Sequence, residues 1–228
     1  MMTFPASSAE SELVERVRAN LERLRERITS SGRDPSSVRI VAVTKTFPSS
    51  YVRAAAAVGL KTVGENYVDE LCTKRTEAPE VDVRWHYLGA LQSNKIARVL
   101  SCADLVCGVS RPKELERVAG APHPLYVQVD LTTQSGRNGC APDDVAGLVA
   151  RARDLKLEVR GLMTVAPPNP DGARDAFGAT RRLVDSLGLE ECSMGMSDDL
   201  EIACDQGTTE LRIGRALFGA RDTTAALP

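Results

Sequence analysis

The chain has 228 residues, of which 29 are Lys or Arg and 31 are Asp or Glu, giving a formal charge of −2 and an isoelectric point of about 5.8. This balance argues against a nucleic-acid or anionic-membrane surface, which normally carries a basic excess. No apolar run approaches the roughly 18 residues needed to cross a bilayer, and the first residues show no secretory signal, so we expect a cytoplasmic protein.

The first 32 residues predict one amphipathic helix. Ser7 and Glu10 fit a capping box at its start, and Gly32 fits its end. We expect this helix to be a lid or a brace for the rest of the chain rather than to carry a site. Its apolar face repeats at helical spacing and consists of Leu13, Val14, Val17, Leu21, Leu24 and Ile28.

From residue 38 onward, short apolar segments alternate with helical ones. The helical segments fall at roughly 49–58, 66–78, 92–102, 111–119, 142–155, 171–187 and 197–206, with a last one near residue 215. The apolar segments predict strands at 38–44, 61–64, 84–89, 104–109, 125–131, 158–163, 192–194 and 210–213. Alternating strand–helix units imply a parallel sheet, and eight of them imply a closed (β/α)8 TIM barrel.

The predicted architecture is therefore α/β: a single domain over residues 1–228, with residues 1–32 packed as an extra helix on a TIM barrel. About 24 residues per unit is close to the minimum for a strand, a helix and two short loops. The competing architecture is an open doubly wound sheet. It is disfavoured because the chain contains neither G-x-G-x-x-G nor G-x-x-x-x-G-K-[ST].

Six cysteines are spread along the chain without a C-x-x-C pair, at positions 72, 102, 107, 140, 192 and 204. With two histidines in the whole chain, this spacing predicts no metal site. In a cytosolic protein we expect all six to be reduced thiols, several of them small core residues.

A barrel places its active site at the C-terminal ends of its strands, and the first strand ends in Lys45. By strand alternation Lys45 shares a face with Val41 and Val43, so it points into the barrel mouth if those valines fill the barrel. Partial desolvation there would favour the neutral, nucleophilic amine. The alternative is a lysine that extends to water, as most lysines at strand ends do.

Three more polar residues lie on or just after predicted strands. Arg212 alternates with apolar neighbours and should also point inward, as a counter-charge for a phosphate, as a partner of Glu210, or as a donor to a ligand ring. Asn66 either faces the mouth or caps the following helix. His86 is either a base or ring-stacking residue, or a hydrogen-bonded core residue.

The last two units predict an anion site. Ser197 suits the N-cap of the helix after strand seven, and Gly214 allows close backbone approach at the helix start after strand eight. Helix N-termini bind anions, and phosphate recurs at this place in barrels. An inward lysine, an inward arginine and a phosphate cradle fit pyridoxal phosphate, although the spacing equally admits a sugar-phosphate aldolase.

Several segments in this order resemble the pyridoxal phosphate homeostasis protein family, whose barrel is similar to the N-terminal domain of alanine racemases. The resemblance covers nearly the whole chain. It is carried by V-T-K-T-F-P at 43–48, G-E-N-Y-V at 64–68, W-H-Y-L-G at 85–89, L-Q-S-N-K at 91–95, R-G-L-M-T at 160–164, S-M-G-M-S-D-D at 193–199 and R-I-G-R-A-L-F-G-A-R at 212–221.

The resemblance implies how each of these residues serves the cofactor pyridoxal 5'-phosphate. Lys45 would hold it as a Schiff base, Arg212 would face the pyridine nitrogen, and Asn66 would lie beside the ring. The phosphate would be held by Ser197 with the amides of Gly214 and Arg215, and secondary contacts would come from Met163 and Ser193. One departure is Arg137, which stands where the family leads us to expect a lysine. Arginine keeps the charge but changes the donor geometry.

The resemblance implies a cofactor carrier in vitamin B6 homeostasis rather than an enzyme, with apo forms of pyridoxal-phosphate-dependent enzymes as recipients. A racemase needs a second acid or base opposite the lysine, and the chain ends at residue 228 without room for the racemase's second domain. We therefore expect no catalytic residue, and a monomer. An arginine at the pyridine nitrogen also weakens the ring as an electron sink. The alternatives are a small pyridoxal-phosphate enzyme such as an amino-acid racemase, and a barrel in which the cofactor is only structural.

Overall fold

The computed structural model describes residues 8–132 and 136–220. Eight parallel strands close into a barrel in chain order, with β8 paired to β1, which confirms the predicted fold class. The strands are β1 (Arg39–Val43), β2 (Thr62–Glu65), β3 (Arg84–Tyr87), β4 (Leu105–Val109), β5 (Leu125–Val129), β6 (Val159–Thr164), β7 (Glu191–Ser193) and β8 (Glu210–Ile213).

Helices cover the outside of this barrel: α1 precedes β1, α9 follows β8, and each of the others joins one strand to the next. They are α1 (Ser8–Ser30), α2 (Ser49–Ala57), α3 (Val68–Glu77), α4 (Ile96–Cys102), α5 (Pro112–Val118), α6 (Val145–Asp154), α7 (Pro170–Ser186), α8 (Leu200–Asp205) and α9 (Arg215–Phe218). α4 and α8 begin three or four residues later than predicted, so the segments before them are loops at the C-terminal end of the barrel.

Strand register sets which side chains meet inside the barrel. Val41 of β1 lies beside Arg212 of β8, and Ser193 of β7 lies beside Glu210, one layer lower. Met163 of β6 is in turn paired with Ser193. Inward residues of neighbouring strands therefore form layers, and the upper layers face the strands' C-terminal ends.

The core has two parts. A large cluster fills the space between strands and helices, and a small one, made of Leu105, Cys107, Tyr126 and Met163, fills the barrel interior. Because every strand is covered by helices outside and by side chains inside, β1, β4 and β5 are apolar over most of their length.

α1 packs on the outside of the barrel, against α8 and α9. Asn20 Nδ2 donates to the carbonyl oxygen of Leu217 in α9 at 2.8 Å, and Arg27 forms a salt bridge with Glu201 of α8. The helix ends at Ser30, and Gly32, two residues later, has a φ of 79°, which is easily adopted by a residue without a Cβ. The predicted cap residue Ser7 lies outside the described residues. None of the described helices is long and apolar enough to cross a membrane.

The prediction of six reduced thiols is wrong for two of them. Cys72 of α3 and Cys102 of α4 form a disulfide, because adjacent packing of these helices brings their Cα atoms to 5.3 Å, within bridging reach. The other four are free and buried, and burial raises the pKa of each thiol. They are the core residues Cys107, Cys140, Cys192 and Cys204.

Candidate functional site

A cavity of about 710 Å³ opens at the C-terminal end of the barrel. The residues predicted to bind a ligand come from five different strand–helix units, and the barrel brings most of them to this one place. Those that line the cavity are Lys45, Asn66, Met163, Ser197, Arg212, Gly214 and Arg215.

Lys45 stands two residues after the end of β1, half-buried in the cavity wall. The chain turns sharply just after it, because Thr46 has a φ of 67°, in the left-handed region that non-glycine residues seldom adopt. The amide of Thr46 donates to Glu70 Oε2 of α3 at 2.7 Å. The position of Lys45 is thus imposed by contacts with a neighbouring helix, and strand alternation alone would not define it.

Beneath this turn lies a buried charged cluster that the sequence reasoning missed. Lys74 Nζ donates to the carbonyl oxygen of Thr44 at 2.7 Å, to Glu65 Oε1 at 2.8 Å and to Glu70 Oε2 at 2.7 Å. The hydroxyl of Thr44 also donates to Glu65 Oε1, at 2.6 Å. Burial raises the pKa of Glu65, while Lys74 and Thr44 oppose that shift. One signal was present in the sequence: Lys74 lies in the buried stripe of α3, three residues after Leu71.

Arg212 points inward, as predicted, and is almost fully buried. Its Nη1 donates to the carbonyl oxygen and the hydroxyl of Ser193 at 2.7 and 2.9 Å, and its Nη2 donates to the carbonyl oxygen of Thr164 at 2.7 Å. Nε takes part in none of these bonds. Burial lowers the pKa of Arg212, and the negative charge of Glu210 opposes that shift.

Ser193 lies behind the cavity wall rather than on it. Its hydroxyl accepts from Arg212 and donates to Glu210 Oε1 at 2.8 Å. Glu210 is fully buried and also accepts from the hydroxyl of Tyr126 at 3.2 Å and from Arg39 at 3.1 Å. Of the predicted partners of Arg212, Glu210 is therefore linked to it through Ser193.

At the β8 end of the cavity, Ser197 does not cap the helix that follows it. α8 begins only at Leu200, and Ser197 Oγ instead accepts from the backbone amide of Ala216 in α9 at 3.0 Å. The prediction that Ser197 caps α8 is therefore wrong. The loop after β7 folds over the start of α9, so Ser197 contacts that helix instead. Asp198, which was not predicted, also lines the cavity and pairs with the exposed side chain of Arg215.

Asn66 lines the cavity beside α3 and does not cap that helix. The N-cap position belongs to Tyr67, whose side chain makes no capping bond. The carbonyl oxygen of Asn66 would be 2.2 Å from a Cβ at Gly89, so the absence of a side chain at Gly89 allows the ends of β2 and β3 to approach.

His86 points into the barrel, away from the cavity that holds Lys45. It is 2% exposed, its ring meets that of Tyr126 edge-on at 6.3 Å, and its Nδ1 lies 3.7 Å from Glu210 Oε2 without a hydrogen-bond partner. His86 is therefore better described as a core residue than as a catalytic base, although its Nδ1 has no hydrogen-bond partner. Burial lowers the pKa of His86 and so favours the neutral ring, while the negative charge of Glu210 opposes that shift.

The opposite wall of the cavity carries two amide side chains that the sequence reasoning did not identify. Asn138 Nδ2 donates to Gln128 Oε1 at 2.7 Å, and Gln128 Nε2 donates to the backbone oxygen of Asn138 at 2.8 Å. Arg137 precedes this pair, and its Nη1 reaches the carbonyl oxygens of Val165 and Ala166 at 3.4 Å. Arg137 therefore connects the loops after β5 and β6. Gln128 and Asn138 are 10 residues apart, and no local sequence pattern predicts that they form a pair.

Within residues 8–132 and 136–220, no group of three or more His, Cys, Asp or Glu side chains could hold a metal ion. The chemical groups that the cavity does offer are a primary amine, a fixed guanidinium and a polar end formed by Ser197, Gly214 and Arg215. These groups suit a ligand that combines a carbonyl, a ring or other acceptor, and an anion.

Sequence comparisons place the chain among proteins of one family. The profile described as "Alanine racemase, N-terminal domain" matches residues 14–222. A pyridoxal phosphate homeostasis protein of Pseudomonas aeruginosa is 41% identical over 224 residues, which is 93% of this chain and 97% of that protein. One of Escherichia coli K12 is 32% identical, over 89% of this chain and 96% of that protein.

Solved structures agree. PipY of Synechococcus elongatus with PLP bound has a TM-score of 0.79 and 32% identity, over 89% of this chain and 100% of that one. Alanine racemase of E. faecalis has a TM-score of 0.71 and 17% identity, over 96% of this chain and 60% of that one, and so shares the fold.

Proposed function

Because the chain belongs to the pyridoxal phosphate homeostasis proteins, within the alanine racemase N-terminal domain family, we propose that it binds pyridoxal 5'-phosphate and serves as its carrier. The observation that carries the proposal is the meeting of Lys45 and Arg212 in one cavity at the C-terminal end of the barrel. Pyridoxal phosphate supplies an aldehyde that condenses reversibly with a primary amine. The cavity offers that amine at Lys45.

The other groups of the cavity fit the remaining parts of the cofactor. Arg212 would donate to the pyridine nitrogen, and its Nη atoms are already committed to Ser193 and Thr164, so its guanidinium needs no reorganisation on binding. Ser197 with the first amides around Gly214 and Arg215 would hold the phosphate, since first-turn amides lack partners within a helix. Asn66 and Met163 would contact the ring.

The arginine that would face the pyridine nitrogen, Arg212, favours a carrier over a catalyst. An arginine there cannot give up its proton to the ring, so the ring stays a weak electron sink. The described cavity lining includes Lys45 as its one lysine and contains no histidine or tyrosine. Recipients of the cofactor would be apo forms of enzymes that depend on it.

Binding is tested by mixing the purified protein with pyridoxal phosphate and treating it with borohydride. We expect a yellow protein and one stable adduct, mapped to Lys45 by peptide mass spectrometry. Lys45→Met should lose the adduct, whereas Lys61→Met, a change at a surface lysine that is 73% exposed, should keep it. A colourless protein without adduct contradicts the proposal.

Carrier and racemase differ in what happens to an amino acid. We expect the loaded protein to restore activity to an apo-aminotransferase, and to exchange the α-proton of L-alanine in deuterated water no faster than free cofactor does. Exchange well above that of free cofactor would favour the racemase.

A further inference from the structure

The charged cluster under Lys45 consists of Lys74, Glu65 and Glu70, and such buried charges are not required for the stability of a barrel core. The side chains of Lys74 and Glu65 are 6% and 0% exposed, and that of Glu70 is 17% exposed. Replacing a buried ion pair by apolar residues is often neutral or stabilising, because desolvation offsets the attraction between the charges. Stability alone therefore does not account for this cluster.

The contacts of the cluster converge on the two residues that flank Lys45. On one side, the carbonyl oxygen of Thr44 accepts from Lys74 Nζ at 2.7 Å and from the amide of Phe47 at 3.0 Å. On the other side, the amide of Thr46 donates to Glu70 Oε2, which also accepts from Lys74. Lys74 thus bridges both ends of the turn through its three protons.

The turn needs this support because its conformation is unfavourable. Thr46 is a β-branched residue with a φ of 67°, and such a conformation persists only where surrounding contacts impose it. Without the ammonium of Lys74, Glu65 and Glu70 would place two carboxylates near each other, one of them fully buried. The turn would then lose the hydrogen bond that Lys74 donates to Thr44, and the two carboxylates would lose the positive charge that neutralises them.

We propose that Lys74 is a positioning residue, which with Glu65 and Glu70 holds the turn from Thr44 to Phe47 so that Lys45 projects into the cavity. This inference rests on the proposed function for the ligand that Lys45 binds. It also concerns the protein without its ligand, because all three acceptors of Lys74 belong to the protein itself.

The test compares Lys74→Met with Arg75→Met on the same helix. Arg75 is the matched control: its Nη1 also donates to a carbonyl oxygen and a carboxylate, those of Cys102 at 2.7 Å and Asp104 at 3.0 Å, but these belong to the α4 side of the helix. Two ligands are used, pyridoxal 5'-phosphate and 4-deoxypyridoxine 5'-phosphate, which has a methyl group in place of the aldehyde and cannot condense with Lys45.

We expect Lys74→Met to raise the Kd of pyridoxal phosphate at least tenfold and to leave the Kd of the deoxy analogue within twofold. Arg75→Met should change neither. Equal weakening of both ligands, an unchanged Kd for pyridoxal phosphate, or the same result with Arg75→Met would overturn the proposal. Lys74→Arg, which keeps a cation with several donors, should recover most of the lost affinity.

Hydrogen exchange in the apo protein gives a second readout. The amides of Thr46 and Phe47 should exchange at least tenfold faster in Lys74→Met and unchanged in Arg75→Met. If the wild-type protein binds neither ligand, the proposed function fails. The hydrogen-exchange rates of the two variants then decide by themselves whether Lys74 holds the turn. If Lys74→Met does not fold, Glu65→Gln takes its place, since the amide oxygen still accepts from the Thr44 hydroxyl while the charge facing Lys74 is gone.

Discussion

Arg212 Nη1 lies 2.7 Å from the carbonyl oxygen of Ser193 and 2.9 Å from its hydroxyl oxygen. One guanidinium nitrogen is thus held by both polar groups of a single residue on the neighbouring strand. Because the same hydroxyl donates to Glu210, Ser193 connects the cationic cavity wall to the buried carboxylate below it.

Ser193→Ala should therefore destabilise the protein. It removes a hydrogen bond to a buried charged group, which is worth about 1.5–3 kcal/mol, and it takes one donor from Glu210. We expect that loss in the free energy of unfolding, measured by urea titration, and a weaker complex with pyridoxal phosphate. Ser186→Ala, at an exposed serine whose hydroxyl bonds only within its own helix, should change stability by less than about 0.5 kcal/mol. Similar values for both variants would show that the Ser193 hydroxyl does not hold Arg212.

Asp198→Asn should strengthen binding of pyridoxal phosphate. The carboxylate of Asp198 lines the cavity and pairs with Arg215, so it competes with a phosphate for that cation. An exposed pair of this kind is worth about 1 kcal/mol or less, which limits the gain to about fivefold in Kd. The control is Asp205→Asn, whose partner Arg174 is 3.6 Å away on the barrel exterior. A Kd that rises in Asp198→Asn would mean that the carboxylate supports the site.

Gly89→Ala should destabilise the barrel rim. Its Cβ would stand 2.2 Å from the backbone oxygen of Asn66, so the ends of β2 and β3 would have to move apart and displace Asn66. Gly147→Ala in α6 is the opposite case, because a Cβ there meets nothing within 4 Å and alanine favours the helix by about 0.5–1 kcal/mol. Thermal unfolding should give a lower Tm for the first variant and a slightly higher one for the second. A Tm for Gly89→Ala at or above that of the wild type would contradict the close approach.

Breaking the disulfide should destabilise the oxidised protein. The bridge between Cys72 and Cys102 spans 30 residues, and the chain-entropy relation gives about 3.5 kcal/mol for a loop of that size. The double variant Cys72→Ser/Cys102→Ser should be less stable than the wild type without reductant and similar to it with reductant. Alkylation of the unfolded protein with iodoacetamide should label four cysteines before reduction and six after it. Six labels before reduction would contradict the bridge.

The stability of the protein should fall below pH 6.5 because of His86. Its pKa is lowered in the folded state by burial, with the charge of Glu210 acting against that shift. The unfolded chain therefore binds a proton first as the pH falls, so the stability present above pH 6.5 is lost between 6.5 and the folded pKa. The slope is up to about 1.4 kcal/mol per pH unit. Replacing His86 with Gln should remove this part of the slope. Equal slopes in the variant and in the wild type would show that His86 does not titrate in this way.

Much of the barrel could be read from the sequence. All eight strands lie at or within two residues of their predicted positions, because the periods of apolar residues follow directly from local backbone geometry. The inward direction of Arg212 followed from the same alternation, and the mouth position of Lys45 followed from its place after β1.

Contacts between distant segments decided the rest. No local pattern shows that Ser197 meets Ala216, that Cys72 meets Cys102, or that Ser193 stands behind the cavity instead of lining it. These pairs depend on strand register and helix packing, which only the closed barrel determines.

The length of the chain and its alternating pattern therefore determined a barrel and the strand ends where a site would lie, whereas its near-neutral charge only argued against a nucleic-acid or membrane surface. The tertiary structure decided how that site is held. Lys74 reads in the sequence as one more helical lysine, and it becomes the support of Lys45 only because α3 packs against the end of β1 and buries its charge against Thr44, Glu65 and Glu70. Burial makes each of those hydrogen bonds obligatory, and burial is a property of the assembled fold.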